Sequence, residues 1–196
     1  MRGRWVRLAA GGLLVVVVVA AAACSGDGDG AADATTAPID SASLGSLVTA
    51  ECSPGAPVLK IDQIPTAIAA VEAELGGPQR YFEINATDVL VNMFVAGPDA
   101  TTVTPYVFAG GALTSNDVIE AQGNTFEASA LDIDSQLVSS CVTGQLPTSS
   151  QDLFLVEGGV GGVVRYAILT TSANGGQLLI EVSGDGTVLS VDPVDG

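Results

Sequence analysis

Leu59-Lys60-Ile61-Asp62 recurs as Leu131-Asp132-Ile133-Asp134, 72 positions further on. At the same offset Tyr81-Phe82-Glu83-Ile84 matches Leu153-Phe154-Leu155-Val156. Two inserted residues later, Leu90-Val91-Asn92-Met93-Phe94 faces Val164-Arg165-Tyr166-Ala167-Ile168, and Tyr106 to Gly110 then corresponds to Ile180 to Gly184. Identity between the copies is low. The order of elements is kept throughout, which is how a duplicated structural unit reads in a sequence.

Each copy opens with a helix. In the first, Asp62 is placed to cap and Pro65 falls in the first turn. Ile64, Ile68, Val71 and Leu75 then recur at three- and four-residue steps, making one apolar face. Gly76-Gly77-Pro78 stops that helix. In the second copy Asp134 caps, Leu137, Val138, Cys141 and Val142 form the face, and Gly144 and Pro147 end it. Runs of β character follow: 80–84, 88–95 and 102–108, then 152–157, 162–170 and 176–183. Ala96-Gly97-Pro98-Asp99 and Asn174-Gly175-Gly176 make the tight connections. Gly184-Asp185-Gly186 turns into a last strand, Thr187 to Val191. Segment 110–130 joins the copies, with one strand at Asp117–Ala121, and Asn85-Ala86-Thr87 reads as a polar turn.

Helix followed by antiparallel meander, twice over, predicts an α+β fold of two tandem helix-plus-antiparallel-sheet repeats, 48–125 and 126–196. One sheet face must be covered by the helices while the other meets solvent. Strand alternation sends Phe82, Ile84, Phe154 and Val156 to the core and Tyr81, Glu83, Leu153 and Leu155 the other way. By the same alternation Val91 and Arg165 oppose Asn92 and Tyr166. Tyr81, Glu83, Arg165 and Glu181 are therefore expected to share the solvent-facing surface and to form a partner-binding patch, since binding hot spots favour Tyr and Arg.

The ending, Leu178-Leu179-Ile180-Glu181-Val182-Ser183-Gly184-Asp185-Gly186-Thr187-Val188, is a strand–Gly turn–strand. With the repeated architecture over roughly 58–192, the chain resembles the PepSY-like and β-lactamase-inhibitor-protein-like group, whose modules pack a helix on a small antiparallel sheet. The resemblance implies binding or inhibition of an extracytoplasmic enzyme. It carries no functional residue over.

Arg2, Arg4 and Arg7 precede an apolar run from Leu8 to Ala23, and Ala21-Ala22-Ala23-Cys24-Ser25 closes it. Positive n-region, apolar h-region and small residues before a cut site describe a secretory signal peptide. The 16-residue run falls short of the roughly 20 that a spanning helix needs. The cysteine after the small residues resembles a bacterial lipobox, with Ala21 where Leu is most common. That resemblance implies removal of 1–23, a lipid on Cys24 and a membrane-anchored, extracytoplasmic protein. Residues 24–47, rich in Gly, Asp, Ala, Ser and Thr, cannot bury enough apolar surface to order themselves and read as a flexible acidic tether. Its r.m.s. reach is roughly 25–30 Å. Asp27, Asp29 and Asp33 lack the spacing of a calcium loop, which places Ala31 at its fifth position.

Beyond Cys24 the chain has three basic residues, Lys60, Arg80 and Arg165, against 22 acidic ones, a net charge of −19. Such a surface repels phosphate backbones and excludes nucleic acid as a partner. With Cys24 lipidated, Cys52 and Cys141 remain, and in an oxidising compartment they are expected to form one disulfide. There is no histidine, which removes Ser-His-Asp and Cys-His catalysis and His-based zinc sites. Gly158-Gly159-Val160-Gly161-Gly162 lacks a Walker lysine and reads as a loop. Carboxylate pairs such as Asp132/Asp134 or Asp192/Asp195 are expected by chance in so acidic a chain. The sequence predicts no enzyme, no metal and no cofactor. It points to a protein-binding or inhibitor-like module, with a carrier of lipid or other apolar small molecules as the alternative and an envelope-structural role as a third reading.

Two acyl chains are what stable anchoring takes, since one gives only marginal binding. Cys24→Ala is expected to leave the protein unprocessed or released from the membrane, as read by fractionation and N-terminal mass. Normal retention with a correctly trimmed N-terminus would refute the lipid anchor.

Overall fold

Helices α1 (Ile64–Leu75) and α2 (Ser135–Gln145) form where the apolar steps place them. The computed structural model describes residues 52–53, 55–173 and 175–194. Cys24, the tether, Asn174 and Asp195 lie outside that set. A 3₁₀ turn, Lys60–Gln63, leads into α1, so the cap is Gln63, without a side-chain hydrogen bond, and Asp62 does not cap as expected. Pro65, with φ already set, starts the helix instead. Gly76 ends it in the left-handed region at φ 81°. Ile64, Ala67, Ile68 and Val71 are buried, whereas Leu75, in the last turn, is exposed. At α2 the Asp134 carboxylate accepts the Gln136 and Leu137 N–H groups, both at 3.0 Å.

Among the described residues there are ten strands in chain order: β1 (Arg80–Ala86), β2 (Val91–Ala96), β3 (Thr102–Ala109), β4 (Ala112–Ser115), β5 (Ile119–Glu120), β6 (Phe126–Glu127), β7 (Ser149–Gly158), β8 (Val164–Ser172), β9 (Gln177–Val182) and β10 (Val188–Val194). They make one antiparallel sheet in the order β10-β9-β8-β7-β1-β2-β3-β4, with β5 added to β3 and β6 to β1. Each helix is thus followed by a four-strand meander, and the first strands of the two meanders pair at the centre. That pairing is symmetric about Ile84 and Val156, with Glu83 opposite Glu157 and Asn85 opposite Leu155.

Both helices cover the same sheet face. Their buried residues join Ile84, Met93, Phe108, Phe154, Val156, Ile168 and Ile180 in one core. Strand pairing also corrects the expected alignment of the copies. Met93 stands opposite Ile84 and Tyr166 opposite Val156, so one residue, not two, is inserted between these strands. Val91 and Tyr166 therefore point to the core, and Asn92 and Arg165 point away from it. Ala112–Ser115, expected within the joining segment, is a strand paired with β3. Asn85, read as part of a polar turn, lies inside β1.

Cys52 and Cys141 form a disulfide with Cα atoms 4.9 Å apart. The Val58 N–H donates to Ser139 Oγ at 3.2 Å, so the segment before α1 runs beside α2 of the other half. A closed loop spanning 89 positions constrains the unfolded chain by roughly 4–5 kcal/mol on loop entropy, with measured values usually lower. The β9–β10 turn sits against the entry to α2. There the Asp134 N–H donates to the Gly184 carbonyl at 2.8 Å, and a Cβ on Gly184 would overlap the Asp132 carbonyl oxygen.

Gly184→Ala is expected to lower stability by about 2–3 kcal/mol in denaturant unfolding, because backbone must move to admit the methyl group. Gly144→Ala, in α2 with open space around it, is expected to raise stability by about 0.5–1 kcal/mol through helix propensity. Equal effects at the two positions would show that the turn does not pack on α2.

Candidate functional site

The face away from the helices is laid out by the ladder register. One row runs Pro105, Phe94, Glu83, Glu157, Arg165 across β3, β2, β1, β7 and β8. The next runs Val107, Asn92, Asn85, Leu155, Ala167, Glu181 and on to Ser190 of β10. A third, on the second half, is Leu153, Leu169, Leu179, Asp192. Among the described residues no helix lies on this face. Leu153 and Leu155 are nonetheless only 7% and 4% exposed, and they stand outside the main core.

Of the expected surface patch, Glu83, Arg165 and Glu181 lie on this open face. Tyr81 does not. It is 0% exposed, in the core, with its ring centroid 6.0 Å from that of Phe126. The cause is a β-bulge: Tyr81 pairs with Val95 and Glu83 with Phe94, which leaves Phe82 as an extra residue. The bulge turns Tyr81 inward and Phe82 out of the core assigned to it. Burial, with a smaller contribution from Glu72, raises the Tyr81 phenol above its usual range. Phe82 instead meets Gly123 of the segment joining β5 to β6. That segment passes close enough to Gly158 that a Cβ there would come within 2.7 Å of the Asn124 carbonyl oxygen. It borders one end of the open face.

At the centre of the face a polar relay crosses two strands. Asn92 Nδ2 donates to Asn85 Oδ1 at 2.8 Å, and Asn85 Nδ2 donates to Glu83 Oε1 at 2.7 Å. Asn85 is 3% exposed, so both ends of its amide must be satisfied within the protein. Burial is the main influence on Glu83 and raises its carboxyl above the ordinary value of 4.5. The Asn85 hydrogen bond opposes that shift and the charge of Glu157 adds to it. Arg165 reaches Glu157 at 3.4 Å. Arg80, the other cation on the sheet, donates to the Pro98 carbonyl at 2.6 Å and so holds the β2–β3 turn.

Asn85, Asn92 and Glu157 are members of this site that strand alternation alone did not single out. The signal available was one asparagine in each of two neighbouring β runs, Asn85 and Asn92. Among the described residues no group of three His, Cys, Asp or Glu side chains is arranged to hold a metal. A cleft of about 220 Å³ lies beside the disulfide, lined by Leu137, Gln145 and Asp185 among others. Asp132 and Asp134, considered as an acid–base pair, are divided by function, since Asp134 is the α2 cap. Comparison with known protein families, with curated proteins and with solved structures finds no match.

Because the folded-state pKa of Glu83 is raised, the unfolded chain loses that proton first as pH climbs past 4.5. The unfolded state then binds fewer protons, and stability falls with pH until the folded carboxyl also ionises. Glu83's contribution is thus present at acid pH and lost as pH rises through its folded value. Glu83→Gln is expected to gain stability relative to the wild type between about pH 4 and pH 7. Parallel unfolding midpoints for the two proteins across that range would contradict the assignment.

Proposed function

We propose that this chain is a membrane-anchored extracytoplasmic lipoprotein whose open sheet face binds another protein, as an adaptor or inhibitor-like module. The observation that carries this reading is the face itself. It is a continuous surface across the central strands, with Phe94, Pro105, Val107, Leu169 and Leu179 half-buried among charged Glu83, Glu157, Arg165 and Glu181. Apolar groups on such a surface can be buried against a partner, while the charges among them set its orientation by complementarity. The Asn92–Asn85–Glu83 relay supports it further, because a network of fixed side chains loses little freedom on binding. The carrier reading has less support: the 220 Å³ cleft falls below the about 300–1,000 Å³ of small-molecule sites, and it lies beside the disulfide, away from the centre of the sheet.

A photo-crosslinking amino acid at Val107 or Leu169 in the anchored chain is expected to give protein adducts in its native envelope. The same group at Ala69, on the exposed side of α1, is expected to give none. Lipid adducts at the open-face positions would favour the carrier. Equal yields at all three positions would remove the face from consideration.

A further inference from the structure

The centre of the open face is one positive charge short. Glu83 and Glu157 stand directly opposite each other on β1 and β7, an arrangement that destabilises an antiparallel pair. One guanidinium attends them, from one side. Arg165, opposite Glu157 on β8, approaches it at 3.4 Å with 54% of its side chain exposed, and an ion pair so exposed contributes little. Glu83 has a neutral partner, the Asn85 amide at 2.7 Å. Of the other two cations beyond Cys24, Arg80 donates to the Pro98 carbonyl and Lys60 lies in the 3₁₀ turn before α1. Apolar groups flank the pair, with Phe94 beside Glu83 and Leu155 two residues along β7 from Glu157.

We infer that the open face docks a basic segment of a protein partner, one Lys or Arg of which lies between Glu83 and Glu157 while its apolar neighbours rest on Phe94 and Leu169. The inference rests on the protein-binding reading and specifies the partner's chemistry. Charge complementarity supports the choice at two ranges. Locally, a cation replaces a like-charge contact with charge-assisted hydrogen bonds to a carboxylate that the asparagine relay already holds in place. At long range, three basic against 22 acidic residues beyond Cys24 give a field that draws a basic partner in and repels an acidic one.

The test pans a phage-displayed random-peptide library on the immobilised full chain. The selected peptides are expected to carry a Lys or Arg flanked by apolar residues and to bind more weakly as salt is raised. Their affinity should fall at least about tenfold for Glu83→Gln/Glu157→Gln, and by a similar factor when the peptide's Arg is replaced by citrulline. Asp62→Asn/Glu74→Gln removes the same charge from the helix side and should change affinity by no more than about twofold. The citrulline comparison uses the unaltered protein, so it does not depend on the variants folding. Peptides that are lost with Leu169→Glu yet indifferent to citrulline and to the double Gln variant overturn the cation inference and leave the protein-binding reading standing. Enrichment of no peptide, or of peptides insensitive to every open-face substitution, overturns both.

Discussion

Four residues of β1, Glu83 to Ala86, paired with Phe154 to Glu157 of β7, join two meanders that would otherwise each end in an unpaired edge. An open edge at that point would present a row of free N–H and C=O groups to solvent. Pairing removes it and sets both surfaces at once. Ile84, Ala86, Phe154 and Val156 go beneath the helices, and Glu83, Asn85, Leu155 and Glu157 go to the opposite face. Because side chains alternate, a slip of one residue would exchange the two sets. The core and the candidate site are therefore consequences of the same four pairs.

The remaining edges are short or broken. β4 spans Ala112–Ser115, and β10 carries Asp192 and Pro193. A register shift between Val188 and Ser190 interrupts the β10 ladder. Similar irregularities occur at Phe82 in β1 and at Asp152 in β7. Bulges add local twist, and in this sheet they also decide which aromatic is inside. Phe154 sits in the core and stacks with Tyr166 at 6.1 Å. Phe82, its counterpart by sequence, lies on the open side.

Much of the fold was legible because its signals are local. The steps from Ile64 to Val71, Asp134 before α2, Gly76 after α1 and the runs that became β1, β2, β3, β7, β8 and β9 each follow from neighbouring residues. What was not legible depends on pairing across the chain. No property of Tyr81-Phe82-Glu83 announces a bulge, so strict alternation placed Tyr81 outside. The insertion between β7 and β8 was overcounted because Tyr166 and Asn92 were aligned by hydrophobic pattern, whereas their strand partners show otherwise. The Glu83–Glu157 pair, central to the site, brings together residues from different halves, and only the β1–β7 register reveals it. Ala112–Ser115 has too few residues for a period to show.

The disulfide sets how the molecule bears load. Cys52 is bonded to α2, in the half of the fold furthest along the chain, while the route through the backbone to the same point is 89 positions long. Tension applied N-terminal to Cys52 enters the domain at Cys141 through one covalent bond. The 3₁₀ turn at Lys60–Gln63 and α1, which would be peeled first were the backbone the only connection, lie within the bridged loop and are shielded from that pull. Force between that end of the chain and the sheet is thus carried by α2 and the strands beneath it, as shear across packed side chains instead of a helix unzipping turn by turn.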